Sequence, residues 1–153
     1  MRCLYPLLLL AGCAAPAAES TPVSAPRLAA SAELLSRWGR DLDRTNPLPA
    51  HPRPTLVRER WRSLNGPWQF EFGNPTQPPP FGRQLAGEIL VPFAPESRLS
   101  GVEEHQPHLW YRRFLEIPTG WRRDRVLLHF GAVDWEAEVW VNGRPLALSL
   151  IHI

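Results

Sequence analysis

The chain has 153 residues and a formal net charge of +2, and all 17 of its basic residues are arginines scattered along the sequence. This length fits one domain of ordinary size. The densest basic pairs, Arg112-Arg113 and Arg122-Arg123, do not join into a basic stripe. The charge pattern therefore argues against a protein that binds nucleic acid.

The N-terminus predicts export. Arg2 precedes an apolar run over residues 4–10, which is too short to span a bilayer as a helix but suits the core of a secretory signal. The motif LAGC, ending at Cys13, resembles the bacterial lipobox, in which the signal is cut before the Cys and the Cys carries lipid. The resemblance implies a lipoprotein signal peptide over 1–12, a lipidated Cys13, and a place in the bacterial cell envelope, on the periplasmic or outer-membrane face. The alternative is an ordinary secreted protein with a chance cysteine.

The cysteine and histidine content predicts neither a disulfide nor a metal site. Cys3 would leave with the signal peptide and Cys13 would be acylated, so no thiol remains for a disulfide, a metal or catalysis. His105 and His108 lie three residues apart without a third ligand nearby, and the other histidines are scattered. We therefore expect no metal and no cofactor.

The segment after the signal predicts a tether and then a change to globular sequence. Residues 13–33 are rich in Ala, Pro and Ser, which is typical of a flexible linker. Residues 32–44 predict a short helix with Ser31 as its N-cap; its apolar side would comprise Leu34, Leu35, Trp38 and Leu42. Four prolines in residues 45–55 exclude a helix or a central strand there.

The remaining sequence predicts short strands. A turn signal at Asn65-Gly66-Pro67 precedes the alternating residues Trp68, Phe70 and Phe72, and Asn142-Gly143 is typical of a tight hairpin. Further strands are predicted at 88–93, 109–117, 125–130 and 135–141, with a return strand beginning at 144. Short strands with turn signals and no long helical period predict an all-β fold, an antiparallel sandwich or barrel.

The stretch GAVDWEAEVWVNG at 131–143 raises the question of a binding site. Its alternation places Ala137, Val139 and Val141 on a core face, and Glu136, Glu138 and Trp140 on the opposite face. An aromatic ring beside carboxylates is common in sugar sites, because the ring stacks on C–H faces and carboxylates accept hydroxyl hydrogen bonds. The alternative interpretation is that Trp140 packs under a loop or against a neighbouring domain.

Four blocks carry a family resemblance: PRPTLVRERWRSLNGPWQFEF, VPFAPESRLSG, LWYRRFLEIPTGW and RVLLHFGAVDWEAEVWVNG. In this order and spacing they resemble glycoside hydrolase family 2, which includes β-galactosidases, β-glucuronidases and β-mannosidases. The resemblance covers roughly residues 45–147. It implies that 34–147 form an incomplete N-terminal sugar-binding domain, a galactose-binding-like jelly-roll sandwich. It also implies that Asp134 and Asn142 hold turns and that Trp135 packs at a strand start.

The same resemblance places catalysis elsewhere. Family members hydrolyse terminal β-glycosides with retention, using two glutamates in a downstream barrel that these blocks do not include. Glu96, Glu103 and Glu104 are candidates for a carboxylate pair, but their polar loop is typical of a solvated surface. The sequence therefore assigns no catalytic residue, leaves the sugar-binding residues unknown, and predicts an O-glycosyl hydrolase only for a longer parent protein.

The last residues, LSLIHI at 148–153, depart from this family pattern. They match a translation of CTG TCT CTT ATA CAC ATC, the transposase end sequence used as an adapter in DNA libraries. We expect them to be non-native and the gene to continue past Ala147. The leading hypothesis is thus the N-terminal part of an exported, lipid-anchored family 2 β-glycosidase acting on carbohydrate. The alternatives are a stand-alone carbohydrate-binding lipoprotein and a structural envelope lipoprotein without a ligand.

Overall fold

The computed structural model describes residues 4–12 and 35–150, with side chains described over 35–146. The strands of these ranges form one antiparallel sheet in the order β3-β2-β4-β1-β5-β6. They are β1 (Leu4–Gly12), β2 (Gly66–Phe72), β3 (Gly87–Val91), β4 (His108–Glu116), β5 (Glu136–Val141) and β6 (Arg144–Leu150). A one-turn helix, α1 (Arg37–Arg40), and three 3₁₀ turns (Pro54–Leu56, Arg98–Ser100 and Thr119–Trp121) complete the described elements. The predicted all-β, antiparallel fold is confirmed.

Strand β2 begins where the sequence predicted a turn. Gly66 has φ of +120°, and a Cβ there would lie 3.2 Å from the carbonyl oxygen of Thr45, so glycine suits both the dihedral and the close approach. Arg113 Nη1 donates to the carbonyl oxygens of Leu64 (2.7 Å) and Asn65 (3.1 Å). These bonds fix the entry of the chain into β2 against β4.

The core lies on one face of the sheet, where alternate residues of β2, β3 and β5 meet. Its buried members are Trp68, Phe70, Ile89, Ala137 and Val139. Two of the three predicted core positions of β5 are therefore buried, and the third, Val141, is half-buried against the same cluster. The predicted alternation of β5, in which residues i and i+2 share one face, is therefore confirmed.

Irregular segments also pack against this core. Four partly buried residues contact the cluster from outside the strands: Leu64, Val102, Leu128 and Val133. Burial raises the pKa of Tyr111, which packs on the same cluster, to about 12, so its phenol stays neutral at physiological pH. A jelly-roll sandwich, with a second hydrogen-bonded layer, stays a prediction.

The β5–β6 hairpin forms as the sequence indicated. Asn142 and Gly143 have φ of +54° and +75°, the left-handed conformation that both central residues of a type I′ turn require. The return strand β6 continues to Leu150. Residues 148–150 thus take part in a strand, whereas 151–153 lie outside the described residues. The expectation that 148–153 is a non-native tail stays a prediction.

Residues 125–130 were predicted as a strand, and this was wrong. The segment has no strand structure, although its alternating apolar pattern is clear. Its neighbours in sequence, β4 and β5, are instead both paired with β1, which lies between them. Periodicity identifies a segment that is able to form a strand. It does not show whether a neighbouring strand has an unpaired edge with which that segment can form hydrogen bonds.

The predicted helix over 32–44 is mostly absent from the described residues. Only α1 is helical, and its N-cap is Ser36, whose hydroxyl accepts from the backbone N–H of Gly39 at 3.1 Å. The expected cap, Ser31, and Leu34 lie outside the described residues. Trp38 was expected on a packed face but is 70% exposed, with the Arg37 guanidinium 4.3 Å from its ring centroid. One helical turn is too short to present a continuous apolar stripe.

The export signals fall largely outside the described part of the chain. Cys13 and the tether predicted at 13–33 are not described, whereas the predicted signal peptide at 1–12 contains β1. Within 4–12 and 35–150, no helix has both the length and the apolar character needed to cross a membrane. The signal peptide and the lipid anchor stay predictions.

Candidate functional site

The sheet face opposite the core carries Glu136, Glu138 and Trp140, as the sequence predicted, and also polar and aromatic residues of β2 and β4. Gln69 pairs in register with Arg112 and Glu71 with Trp110, so these four positions adjoin across β2 and β4. The covering loop, residues 73–86 between β2 and β3, folds over this face. This surface, including Trp140 of β5, is the candidate site.

Arg112 holds the covering loop to the sheet. Its side chain is 95% buried. Its Nε donates to Gln69 Oε1 (3.1 Å), its Nη1 to the carbonyl oxygen of Pro80 (3.3 Å) and its Nη2 to that of Arg83. Burial lowers the pKa of Arg112, with a further contribution from the nearby Arg83 cation. The geometric partners of this guanidinium are neutral oxygens, so it acts as a structural donor.

A second link joins the same loop to β2. Arg83 pairs with both carboxylate oxygens of Glu71, at 2.6 Å to Oε2 and 2.5 Å to Oε1, and the backbone N–H of Ala86 donates to Oε2 at 3.2 Å. The hydrogen bond from Arg83 is the largest cause that holds the pKa of Glu71 below its ordinary value. Charge-assisted bidentate pairs of this kind fix geometry as well as adding stability.

Beside these polar links lies an aromatic cluster. Trp110 is 98% buried and packs with the buried Leu85 of the covering loop. The ring of Trp140 lies 6.0 Å from that of Trp110 and 6.4 Å from that of Phe81, the latter in an edge-to-face arrangement. Trp140 thus packs under a loop, as the alternative interpretation of its strand predicted.

The covering loop begins with a close backbone contact. The backbone N–H of Gly73 donates to the carbonyl oxygen of His108 at 2.8 Å. A Cβ at residue 73 would lie 2.6 Å from Nε1 of Trp110, which is closer than real side chains approach. Only glycine therefore lets the loop leave β2 directly over the indole ring.

The exposed part of this face can make carbohydrate-type contacts. Phe81 is 45% exposed, and Trp140, Glu136 and Glu138 are half-buried. An aromatic edge with two carboxylates on the adjacent strand offers both C–H stacking and hydroxyl acceptance. The contacts that Trp140 makes within the chain are packing contacts with Trp110 and Phe81. The sugar-binding residues stay unassigned, as in the sequence analysis.

The other predicted site residues lie apart from this face. Glu96, Glu103 and Glu104 are all exposed in the loop between β3 and β4, as expected of a solvated surface. Glu96 interacts with His105 Nδ1 at 2.5 Å, and that hydrogen bond is the main cause lowering the pKa of Glu96. No group of three His, Cys, Asp or Glu side chains able to hold a metal occurs within the described ranges.

A second aromatic cluster was not found from the sequence. The ring of Trp61 lies 4.5 Å from that of His51 and 6.4 Å from that of His129. Its buried indole Nε1 has no hydrogen-bond partner. The proline-rich run that contains His51 thereby packs beside the segment preceding β5. The three residues are far apart in sequence, so spacing gave no signal for this contact.

Trp135 departs from the role that the family resemblance implied. It directly precedes β5 with a left-handed φ of +56° and is 43% exposed, so it packs only in part. Asn142 does hold the hairpin turn. The role of Arg112 was also not predicted from the sequence. The alternation of β4 alone would have placed Arg112 on the same face as Trp110, because the two residues are two positions apart in that strand.

Comparisons with known proteins give a distant, partial relationship. No family model matches the chain. A β-glucuronidase of Paenibacillus borealis is 29% identical over 107 residues, which cover 63% of this chain and 17% of that enzyme. The chain therefore spans about a sixth of the length of this curated relative. The relationship supports a glycosidase-related origin.

Replacing Arg112 tests its structural role. We expect Arg112→Met to lower the free energy of unfolding by about 2–4 kcal/mol, because buried carbonyl acceptors of the covering loop would lose their donor. Denaturant unfolding measures the change, and limited proteolysis should cut first within residues 73–86. Arg122→Met, at an exposed arginine, is the matched control. Equal stability of the two variants would contradict the assigned role.

The Glu71–Arg83 pair predicts a pH dependence of stability. Because the folded-state pKa of Glu71 is depressed, its contribution is fully present above the unfolded-state value and is lost as pH falls through the folded-state pKa. Glu71→Gln should therefore be less stable than the native chain at neutral pH, with the difference shrinking as the solution is acidified below about pH 4.5. Urea unfolding across this range measures it. Glu88→Gln, at an exposed residue of β3, should show a smaller and flatter difference.

Proposed function

We propose that this chain is the N-terminal sugar-binding and scaffolding domain of an exported, lipid-anchored family 2 β-glycosidase. The observation that carries the proposal is the 107-residue similarity to a β-glucuronidase, which covers 17% of that enzyme. A match of this extent corresponds to about one domain of a much longer enzyme. The antiparallel strands of the matched chain agree with a non-catalytic β-domain.

Within this proposal, catalysis belongs to a barrel outside residues 1–147. Retaining hydrolysis requires two carboxyl groups about 5 Å apart, one as acid/base and one as nucleophile. The candidate glutamates Glu96, Glu103 and Glu104 are exposed in a polar loop, and Glu96 is engaged with His105. The described residues instead supply an antiparallel sheet, with the covering loop fixed to it by Arg112 and Glu71.

A stand-alone carbohydrate-binding lipoprotein is the second candidate. The observation favouring it is the partly exposed pair of Phe81 and Trp140, which adjoins the half-buried Glu138. Such a module would hold a sugar by ring stacking and carboxylate hydrogen bonds without cleaving it. The two candidates differ in whether hydrolysis accompanies binding.

Expression of the full gene product from source DNA tests the enzymatic proposal. We expect it to hydrolyse nitrophenyl β-glycosides, with the β-glucuronide, β-galactoside and β-mannoside assayed in parallel. Residues 1–153 alone should give no turnover above a protein-free blank, because both catalytic glutamates are proposed to lie elsewhere. Turnover by the short chain would contradict the proposal. Sugar binding without hydrolysis by the full product would favour the binding module.

Lipidation at Cys13 tests the proposed location in the cell envelope. Expressed in a bacterial host, the chain should incorporate a labelled fatty acid, because LAGC at 10–13 resembles a lipobox. Cys13→Ala should abolish the labelling, whereas Cys3→Ala should retain it, since Cys3 lies in the part that is removed. Equal labelling of the native chain and Cys13→Ala would exclude the anchor.

A further inference from the structure

The N-terminal arm, residues 35–63, lies at one end of the sheet and contains no strand. Gly66, which opens β2, is paired in register with Val91 at the end of β3. Because β4 runs antiparallel to β2, its last residue, Glu116, lies at this same end. The arm therefore meets the sheet where β2 begins and where β3 and β4 finish.

Two hydrogen bonds attach the arm to this end of the sheet. Asn65 Nδ2 donates to the carbonyl oxygen of Pro47 at 3.2 Å, and Pro47 is fully buried. Arg62 Nη1 donates to the carbonyl oxygen of Glu116 at 3.1 Å. The arm is thus held against the domain at its middle and at its end, and its remaining side chains are presented outward on a fixed backbone.

The arm concentrates positive charge. Residues 35–63 contain seven arginines and three acidic residues, a formal charge of +4, whereas residues 64–146 contain eight and ten, a formal charge of −2. All seven arginines of the arm are exposed. Within the described ranges, four of them form no ion pair: Arg40, Arg44, Arg53 and Arg58. Their charge is available to an anionic partner.

The same surface carries large apolar side chains in contact with water. Trp38 is 70% exposed, Leu48 54%, Leu56 61% and Val57 64%. A nucleic acid or an acidic polysaccharide would answer the charge but would leave these aliphatic side chains in water. An anionic phospholipid surface answers both, since phosphates attract arginines while Trp and aliphatic side chains enter the boundary between headgroups and acyl chains.

The position of the arm in the chain supports the same partner. It follows the linker predicted at 13–33, whose composition gives a root-mean-square reach of about 25 Å. If Cys13 carries lipid, as proposed above, the arm is the first described part of the domain after the anchor. A second, weak contact with the same bilayer then forms at a high effective concentration, because the first contact is already made.

We propose that the outward surface of the N-terminal arm docks on an anionic phospholipid bilayer. The unpaired arginines of the arm would contact headgroup phosphates, and Trp38, Leu56 and Val57 would enter the headgroup boundary. The sheet would then stand on the membrane by one end, with the covering loop, which leaves the far end of β2, directed away from the lipid. This orientation goes beyond lipid anchoring, which alone leaves the domain free to rotate.

The test uses the full chain without lipid. Cys3→Ala and Cys13→Ala remove both cysteines, and Ala50→Cys then places one environment-sensitive nitrobenzoxadiazole dye at an exposed position of the arm. Glu88→Cys, exposed on β3 away from this end of the sheet, gives the matched control label. Each labelled chain is titrated with vesicles of phosphatidylglycerol and phosphatidylcholine in equal parts, and with phosphatidylcholine alone. The apolar run at 4–10 is uncharged and present in every variant, so its contribution does not depend on phosphatidylglycerol.

We expect the emission of the dye at residue 50 to shift to the blue with vesicles that contain phosphatidylglycerol, and that of the dye at residue 88 to stay unchanged. About 1 M salt should abolish the shift, because the Debye length falls to about 3 Å. Replacing the four unpaired arginines by glutamine should weaken binding by about tenfold or more. Trp38→Ser should weaken binding without any change of charge.

A second set of four substitutions separates the arm from net charge. It removes the same number of positive charges at exposed arginines outside the arm: Arg122→Gln, Arg123→Gln, Arg125→Gln and Arg144→Gln. We expect this variant to retain most of the binding. Equal weakening by the two sets would overturn the proposal, as would equal shifts at residues 50 and 88 or a shift that is indifferent to phosphatidylglycerol. Equally tight binding to polygalacturonate or to DNA would identify a general polyanion site instead. These results are independent of whether the chain is lipidated or belongs to a glycosidase.

Discussion

One whole face of the domain depends on the hydrogen bonds that the buried guanidinium of Arg112 donates. It reaches three oxygens that belong to β2 and to two points of the covering loop. A buried cation is costly unless its donors are satisfied, and here the satisfying groups are carbonyl and amide oxygens. Opening the covering loop would break the two bonds to its carbonyl oxygens, and these bonds hold the loop over Trp110, with Leu85 of the loop packed on that ring.

The two adjacent arginines of β4 show how one strand serves both faces. Arg112 secures the covering loop, while Arg113 points to the other side and donates to the carbonyl oxygens that precede β2. Burial lowers the pKa of Arg113 as it does that of Arg112. In the sequence they stood out only as a dense basic pair. Their alternation within a strand makes them two separate structural donors.

Local chemistry explains which parts of the fold could be predicted. Gly66 and Asn142-Gly143 specify backbone with positive φ, and the alternation of β2 and β5 specifies which residues face the core, so these features were predicted correctly. The prediction of a strand at 125–130 was wrong. Strand pairing depends on which segment already occupies the neighbouring edges, and here β1 pairs with both β4 and β5. Within residues 35–44 only one turn of the predicted helix forms, and Trp38, expected on its packed face, is 70% exposed with the Arg37 guanidinium over its ring.

The candidate site was predictable only in part, for a related reason. Alternation placed Trp140, Glu136 and Glu138 on the face opposite the core, but it could not show that Phe81 covers Trp140. The covering loop contains several prolines and little periodicity, so its path is set by tertiary hydrogen bonds to Gln69, Glu71 and Arg112. The contact of His51 with Trp61 likewise depends on tertiary packing.

The contact between Gly73 and Trp110 has a consequence for how this sequence can diverge. Because no side chain fits at residue 73 while an indole lies beneath it, the two positions cannot drift independently. Alanine at 73 would require the indole of Trp110 to shift, and replacing Trp110 with a smaller residue would remove the clash. Loss of that indole would in turn remove the support beneath Trp140. The pair thus constitutes an epistatic constraint, in which the permitted order of substitutions follows from one interatomic distance.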